Sequence, residues 1–91
     1  MKMTIYGSTS CASCKSLRMA ALALNIDLTY ITIDDNRESY AKFRKFADEQ
    51  FGEGTQVTLP VTLLDDGNLQ EVSVGFMPGM ALLRKAREAQ A

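Results

Sequence analysis

The chain has 91 residues, with ten basic and eleven acidic side chains, a formal net charge of -1 and a hydrophobic share of 46%. Such a length suits one domain over residues 1–91 and is short for two. The hydrophobic share excludes a disordered chain, and the balanced charge gives no electrostatic reason to bind nucleic acid or a membrane surface.

Lys2 is followed by Met3-Thr4-Ile5-Tyr6-Gly7, which reads as a strand and not as the apolar core of a signal peptide. The longest apolar run, 19–24, stops at Asn25, far short of the ~20 residues a membrane-spanning helix needs. A cytoplasmic monomer is therefore expected. Thiols are kept reduced in that compartment, so a purely structural disulfide is out of place there.

Residues 3–6 form the first predicted strand, stopped by Gly7-Ser8-Thr9-Ser10, whose small hydroxylated residues suit a turn and a helix N-cap. A helix follows over 12–24, with Leu17, Ala20, Ala21 and Leu24 on one face and Lys15 and Arg18 on its rim. Asn25 and Asp27 break it. Residues 28–33, rich in β-branched and aromatic side chains, form the second strand, and Asp34-Asp35-Asn36 the next loop. The spacing predicts a second helix over 38–51, burying Tyr40, Phe43, Phe46 and Ala47 and ending at Gly52 and Gly54. Residues 60–64 and 69–74 are strands joined by the turn Asp65-Asp66-Gly67-Asn68. Gly75 then turns the chain into a last helix that reaches about 89, with Pro78 in its first turn and Leu82, Leu83 and Ala86 inward. The order β-α-β-α-β-β-α defines an α/β fold. Its first unit makes parallel strands with a right-handed crossover, its hairpin adds antiparallel ones, and helices cover both faces of a four-stranded mixed sheet.

Cys11-Ala12-Ser13-Cys14 is the strongest chemical signal, because it lies where the first strand hands over to the first helix. Amides at a helix N-terminus carry partial positive charge, which favours the thiolate of Cys11, and the thiolate is the form that attacks a disulfide. Cys14, one turn further on, is placed to resolve the resulting mixed disulfide, and Lys15 adds positive potential. A metal site is the competing reading. One Cys-x-x-Cys supplies two ligands, and the chain has no histidine and no other cysteine. No metal is expected without a second subunit. Asp34, Asp35 and Glu38 read as a solvated loop and helix start, Tyr6 as a packing residue, and Arg84, Lys85 and Arg87 as complements to the last helix dipole.

Over nearly its whole length the chain resembles the glutaredoxins. The matching landmarks are Ile5-Tyr6-Gly7 leading into Cys11-x-x-Cys14, Thr58-Leu59-Pro60 before the third strand, and Val74-Gly75-Phe76 after the fourth. The resemblance implies a thioredoxin-like fold, dithiol–disulfide exchange by Cys11 and Cys14, and a cis bond before Pro60 facing the dithiol. It also implies that Thr58, Leu59, Pro60, Gly75 and Phe76 border the substrate, with Leu59 offering backbone hydrogen bonds. No tightly bound cofactor is implied. The electrons come from glutathione or from thioredoxin reductase and NADPH.

The departures bear on which. Glutaredoxins usually carry Pro-Tyr between the cysteines, a basic residue a few positions earlier, and a polar residue and an aspartate after the glycine turn. This chain has Ala12-Ser13, Ser8 and Met77-Pro78-Gly79 at those places, so its glutathione site is expected to be impaired. Ser73-Val74-Gly75-Phe76-Met77-Pro78-Gly79-Met80 instead resembles the Ser-Gly-Phe-Arg-Pro-Asp-Met stretch of NrdH redoxins, with Met77 for Arg and Gly79 for Asp. That resemblance implies a donor to protein disulfides such as those of ribonucleotide reductase. It also implies recharging by thioredoxin reductase, with an exposed Phe76 suited to docking. A glutathione-dependent, deglutathionylating protein and a non-enzymatic adaptor or cluster-binding module are the alternatives.

Overall fold

The computed structural model describes residues 1–90, the side chain of Gln90 apart. Its elements are β1 (Lys2–Gly7), α1 (Ala12–Ala23), β2 (Leu28–Thr32), α2 (Arg37–Phe51), β3 (Val61–Asp65), β4 (Gln70–Val74) and α3 (Phe76–Gln90). The strands lie in the order β2-β1-β3-β4. β1 runs parallel to β2, from Met3 opposite Leu28 to Gly7 opposite Thr32, and antiparallel to β3, with Tyr6 opposite Val61. β4 pairs antiparallel with β3, Val74 opposite Val61. The expected order and mixed sheet are thus present.

Alternation along the strands divides the interior in two. Met3 and Ile5 of β1 and Leu64 of β3 pack with Leu17 and Ala21 of α1 and with Leu82, Leu83 and Ala86 of α3. On the opposite face Tyr6 and Val61 pack with Phe43 and Ala47 of α2. Tyr6 is a packing residue, as expected: its ring stacks on Phe46 at 5.0 Å and tilts against Phe43 at 5.5 Å. Burial raises its pKa above the ordinary phenol value.

Four local expectations are corrected. Gly7 is no turn residue: it is the last, buried residue of β1. Tyr40 does not join the buried stripe of α2. It is 51% exposed and touches Phe43 from outside, because α2 covers the sheet with Phe43 and Ala47, one turn apart. That helix starts at Arg37, since the side chain of Asn36 accepts the Ser39 N–H at 2.8 Å and fixes the cap there. The hairpin turn is shifted by one residue. Asp65 still pairs with Gln70, and the carboxylate of Asp66 accepts the N–H groups of Asn68 and Leu69 at 2.9 and 2.7 Å. Leu69 consequently sits in the turn, exposed, and not in β4.

Among the described residues, no helix is long and apolar enough to cross a membrane.

Candidate functional site

One end of the sheet gathers every candidate residue. β1 and β2 finish there, β3 begins there and β4 returns there, so four connections meet: 8–11 before α1, 33–36 before α2, 58–60 before β3, and Gly75 before α3.

Cys11 is the N-cap of α1, with extended backbone (φ -92, ψ 102) and its sulfur accepting the Cys14 N–H at 3.2 Å. The two cysteines form a disulfide, with α-carbons 5.3 Å apart. The Ser13 hydroxyl lies 3.5 Å from the Cys11 sulfur. No acidic residue occupies the first turn of α1 to offset the positive helix end. Cys11 is partly accessible, whereas Cys14 is completely buried. The asymmetry follows from helical spacing. Cys14, Leu17 and Ala21 fall at i, i+3 and i+7 on the stripe facing the sheet, and Cys11 stands one residue before the helix begins.

The loop that leads to Cys11 is tied down by Asp34, which is solvent-exposed as expected but also bonds back to that loop. The carboxylate of Asp34 accepts the Thr9 hydroxyl at 2.6 Å and the Thr9 N–H at 3.1 Å. The Thr9 hydroxyl bond, then its N–H bond, holds the Asp34 pKa below the ordinary carboxylate value. A lowered carboxylate pKa means that the interaction is intact at neutral pH and is lost as pH falls through the acid side of the carboxylate range. Asp34→Ala should therefore speed hydrogen exchange of the Thr9 amide at neutral pH. Acidifying the parent protein below that range should lower the protection factor of the same amide, taken against its intrinsic exchange rate at each pH. An unchanged Thr9 exchange rate in the variant would remove the tether.

Just before β3 the Leu59–Pro60 bond is cis, as the resemblance implied. Pro60 is buried and its carbonyl accepts the Gly75 N–H at 2.9 Å, so these two candidates are adjacent. Leu59 is half-buried among the α2-side apolar residues and Thr58 is exposed. Phe76 is not the exposed aromatic that was expected. It packs against the α1–α3 core and leaves Met77, 67% exposed, as the apolar side chain at the surface.

Sequence reasoning also missed two glycines. A β-carbon on Gly7 would lie 2.8 Å from Cβ of Cys14 and would collide with the Tyr30 hydroxyl. One on Gly79 would lie 2.8 Å from Cδ2 of Leu17 and 3.1 Å from the hydroxyl oxygen of Thr62. Gly79 is therefore required where α3 crosses α1. Neither role has a sequence signal, because a close approach between distant elements leaves no local pattern.

A β2-β1-β3-β4 sheet, with α1 and α3 on one face and α2 on the other, is the thioredoxin-like fold in its glutaredoxin form; here it carries a disulfide-linked Cys-x-x-Cys at the head of α1. Among solved structures the chain is similar to the glutaredoxin-like protein NrdH-redoxin from Escherichia coli, with 25% identity, 93% of each chain covered and a TM-score of 0.61. A malarial protein superposes with a TM-score of 0.62 at 19% identity over 92% of each chain, a likeness of fold. No family model and no curated protein matches the sequence. The cysteine pair and the first likeness together support thiol–disulfide redox chemistry at this site.

Proposed function

We propose that the chain is a cytoplasmic, monomeric electron donor to protein disulfides, recharged by thioredoxin reductase with NADPH, with ribonucleotide reductase as its candidate target. One observation carries the reading: a disulfide-linked pair at a helix N-terminus, with Cys11 partly accessible and Cys14 buried behind it. In the reduced protein the Cys11 thiolate attacks one sulfur of the substrate disulfide, and the other substrate sulfur leaves and takes up a proton. Cys14 then attacks the Cys11 sulfur, which breaks the mixed disulfide and releases the second substrate thiol. The substrate gains two electrons, and the Cys11–Cys14 disulfide remains to be reduced. Thr58, Leu59, Pro60 and Gly75 border the approach, with Phe76 packed into the adjoining α1–α3 core, and the backbone of Leu59, which makes no hydrogen bond among the described residues, suits an extended peptide.

The choice of reductant follows from charge. Glutathione is a charged tripeptide, and each charge-assisted hydrogen bond it lacks costs roughly 1.5–3 kcal/mol, about tenfold or more in affinity. Met77-Pro78-Gly79 offers no side-chain donor or carboxylate. Arg37 does line a hollow with Ser8, but Asp34 lines the same hollow and opposes an incoming carboxylate. Coupled NADPH-consumption assays should show faster turnover with thioredoxin reductase than with glutathione and glutathione reductase. Efficient turnover by glutathione alone, with thioredoxin reductases from several sources inactive, would instead make this a glutathione-dependent glutaredoxin.

A further inference from the structure

The resolving step sets a physical problem. Cys14 is completely buried, and burial in apolar surroundings holds a thiol protonated. Yet Cys14 can attack only as the thiolate. The helix end does little for it, because its own N–H points at the Cys11 sulfur. The chain has no histidine to serve as a base.

Gly7 marks where help is available. The space a β-carbon would take on Gly7 is occupied from α1 by Cβ of Cys14 and from β2 by the hydroxyl and Cζ of Tyr30, the latter 2.9 Å away. The Tyr30 hydroxyl and Cys14 therefore close on one small volume, open to them because β1 ends in a residue without a side chain. Among the described residues the Tyr30 hydroxyl makes no hydrogen bond, so its donor is uncommitted. The Arg18 guanidinium lies over its ring, 5.0 Å from the centroid.

We propose that Tyr30 is a positioning residue for the resolving step, its hydroxyl donating a hydrogen bond to the Cys14 sulfur once the disulfide is reduced. This rests on the roles given above to Cys11 and Cys14. The bond stabilises the Cys14 thiolate, whose electron pair then forms the Cys11–Cys14 bond as the bond from Cys11 to the substrate sulfur breaks. The Cys14 thiol first gives up its proton to solvent, the substrate leaves as a thiolate and takes one proton back from solvent, and Tyr30 keeps its own proton throughout. Burial raises the Tyr30 pKa, which keeps the hydroxyl a donor at neutral pH. Of the charged groups around it, Arg18 on α1 acts against that shift and Asp34 after β2 acts with it. Lys15 lines the same shallow hollow, and β1 faces Tyr30 with the uncharged Ile5 and Gly7.

Tyr30→Phe removes the hydroxyl and keeps the ring under Arg18. Two measurements test the proposal. In a Cys11→Ser background, the carbon-13 shift of Cys14 Cβ is followed against pH. Loss of a donor to a charged acceptor should raise its midpoint by about one unit, a roughly tenfold fall in thiolate fraction. With both cysteines present, release of substrate from the mixed disulfide at pH 7 should slow by about threefold. The more basic thiolate is intrinsically more nucleophilic and recovers roughly half of the logarithmic loss. Alkylation of Cys11 should keep its rate. An unmoved Cys14 midpoint together with unchanged release overturns the proposal. If Tyr30→Phe does not fold, the Cys11→Ser protein alone decides. The Tyr30 Cζ signal should step at the Cys14 midpoint, and a flat Tyr30 signal overturns the hydrogen bond. A protein that reduces no disulfide would defeat the proposed function and still leave the Cys14 titration able to report what Tyr30 does.

Discussion

Cys11→Ser is expected to bring disulfide reduction down to the uncatalysed rate, and Cys14→Ser to arrest the reaction at a covalent mixed disulfide with substrate. The two outcomes differ because the two sulfurs are placed differently. Cys11 caps α1, lies at its positive end and is partly accessible, so it is the sulfur an incoming disulfide can reach. Cys14 is inaccessible from solvent and meets the substrate only through Cys11. Loss of Cys11 thus removes the first bond-forming step, while loss of Cys14 removes only the second. Mass spectrometry of a stoichiometric incubation reads both. Unmodified protein is expected from Cys11→Ser, and a protein–substrate adduct that dithiothreitol cleaves is expected from Cys14→Ser. In the reduced parent protein Cys11 should be alkylated first near neutral pH. Faster alkylation of Cys14 would reverse the assignment.

Leu17→Ala is expected to destabilise the fold by about 2–5 kcal/mol, the ordinary cost of emptying a fully buried leucine site. Leu17 is completely buried between α1, α3 and the sheet. The informative companion is Gly79→Ala, where two effects oppose each other. Alanine gains about 0.8–1 kcal/mol over glycine inside a helix. Against this, its β-carbon would stand 2.8 Å from Cδ2 of Leu17, too close unless something shifts, and overpacking of a core costs about 1–3 kcal/mol. With Leu17 held on all sides, the steric cost wins and Gly79→Ala alone should destabilise. In the Leu17→Ala background the obstructing carbon is gone, and the Thr62 hydroxyl oxygen, 3.1 Å away, needs to give by only a few tenths of an ångström into the space vacated. The same substitution should then be neutral or stabilising, recovering part of the first loss. In thermal melts each kcal/mol should appear as a shift of about 4–8 °C for a domain of this size. Equal effects of Gly79→Ala in both backgrounds would show that the two residues do not meet.

The architecture was legible because its signals are local. Period-two and helical spacing mark β1, α1 and α3. The Leu82, Leu83 and Ala86 stripe was expected inward and is buried. Where the reading failed, tertiary packing had decided the outcome. Tyr40 lies on the same helical stripe as Phe43 and Ala47, yet those two are buried in the cluster under α2 while Tyr40 stays exposed outside it. Phe76 follows a glycine turn, which in sequence says nothing of whether the next ring folds inward. At the site the cysteines announce themselves by spacing and by their place after a strand. Asp34 does not, because its partner Thr9 is 25 residues away and becomes a neighbour only when β1 and β2 pair in parallel. Tyr30 is hidden in the same way, read as a strand aromatic until Gly7 leaves room for its hydroxyl beside Cys14.

The unequal depth of the two sulfurs also decides how the protein meets oxidants. Hydrogen peroxide converts an accessible thiolate to a sulfenic acid, and further oxidation to the sulfinic form is in general irreversible. Cys11 is exposed to this attack and the buried Cys14 is shielded from it. A sulfenic acid on Cys11 has Cys14 within disulfide range, as the existing bond between them shows. Condensation of the two expels one water and gives the same disulfide that ordinary turnover leaves behind. Under the proposed function, peroxide damage is thereby channelled into the very disulfide that the protein's reductant returns to the dithiol.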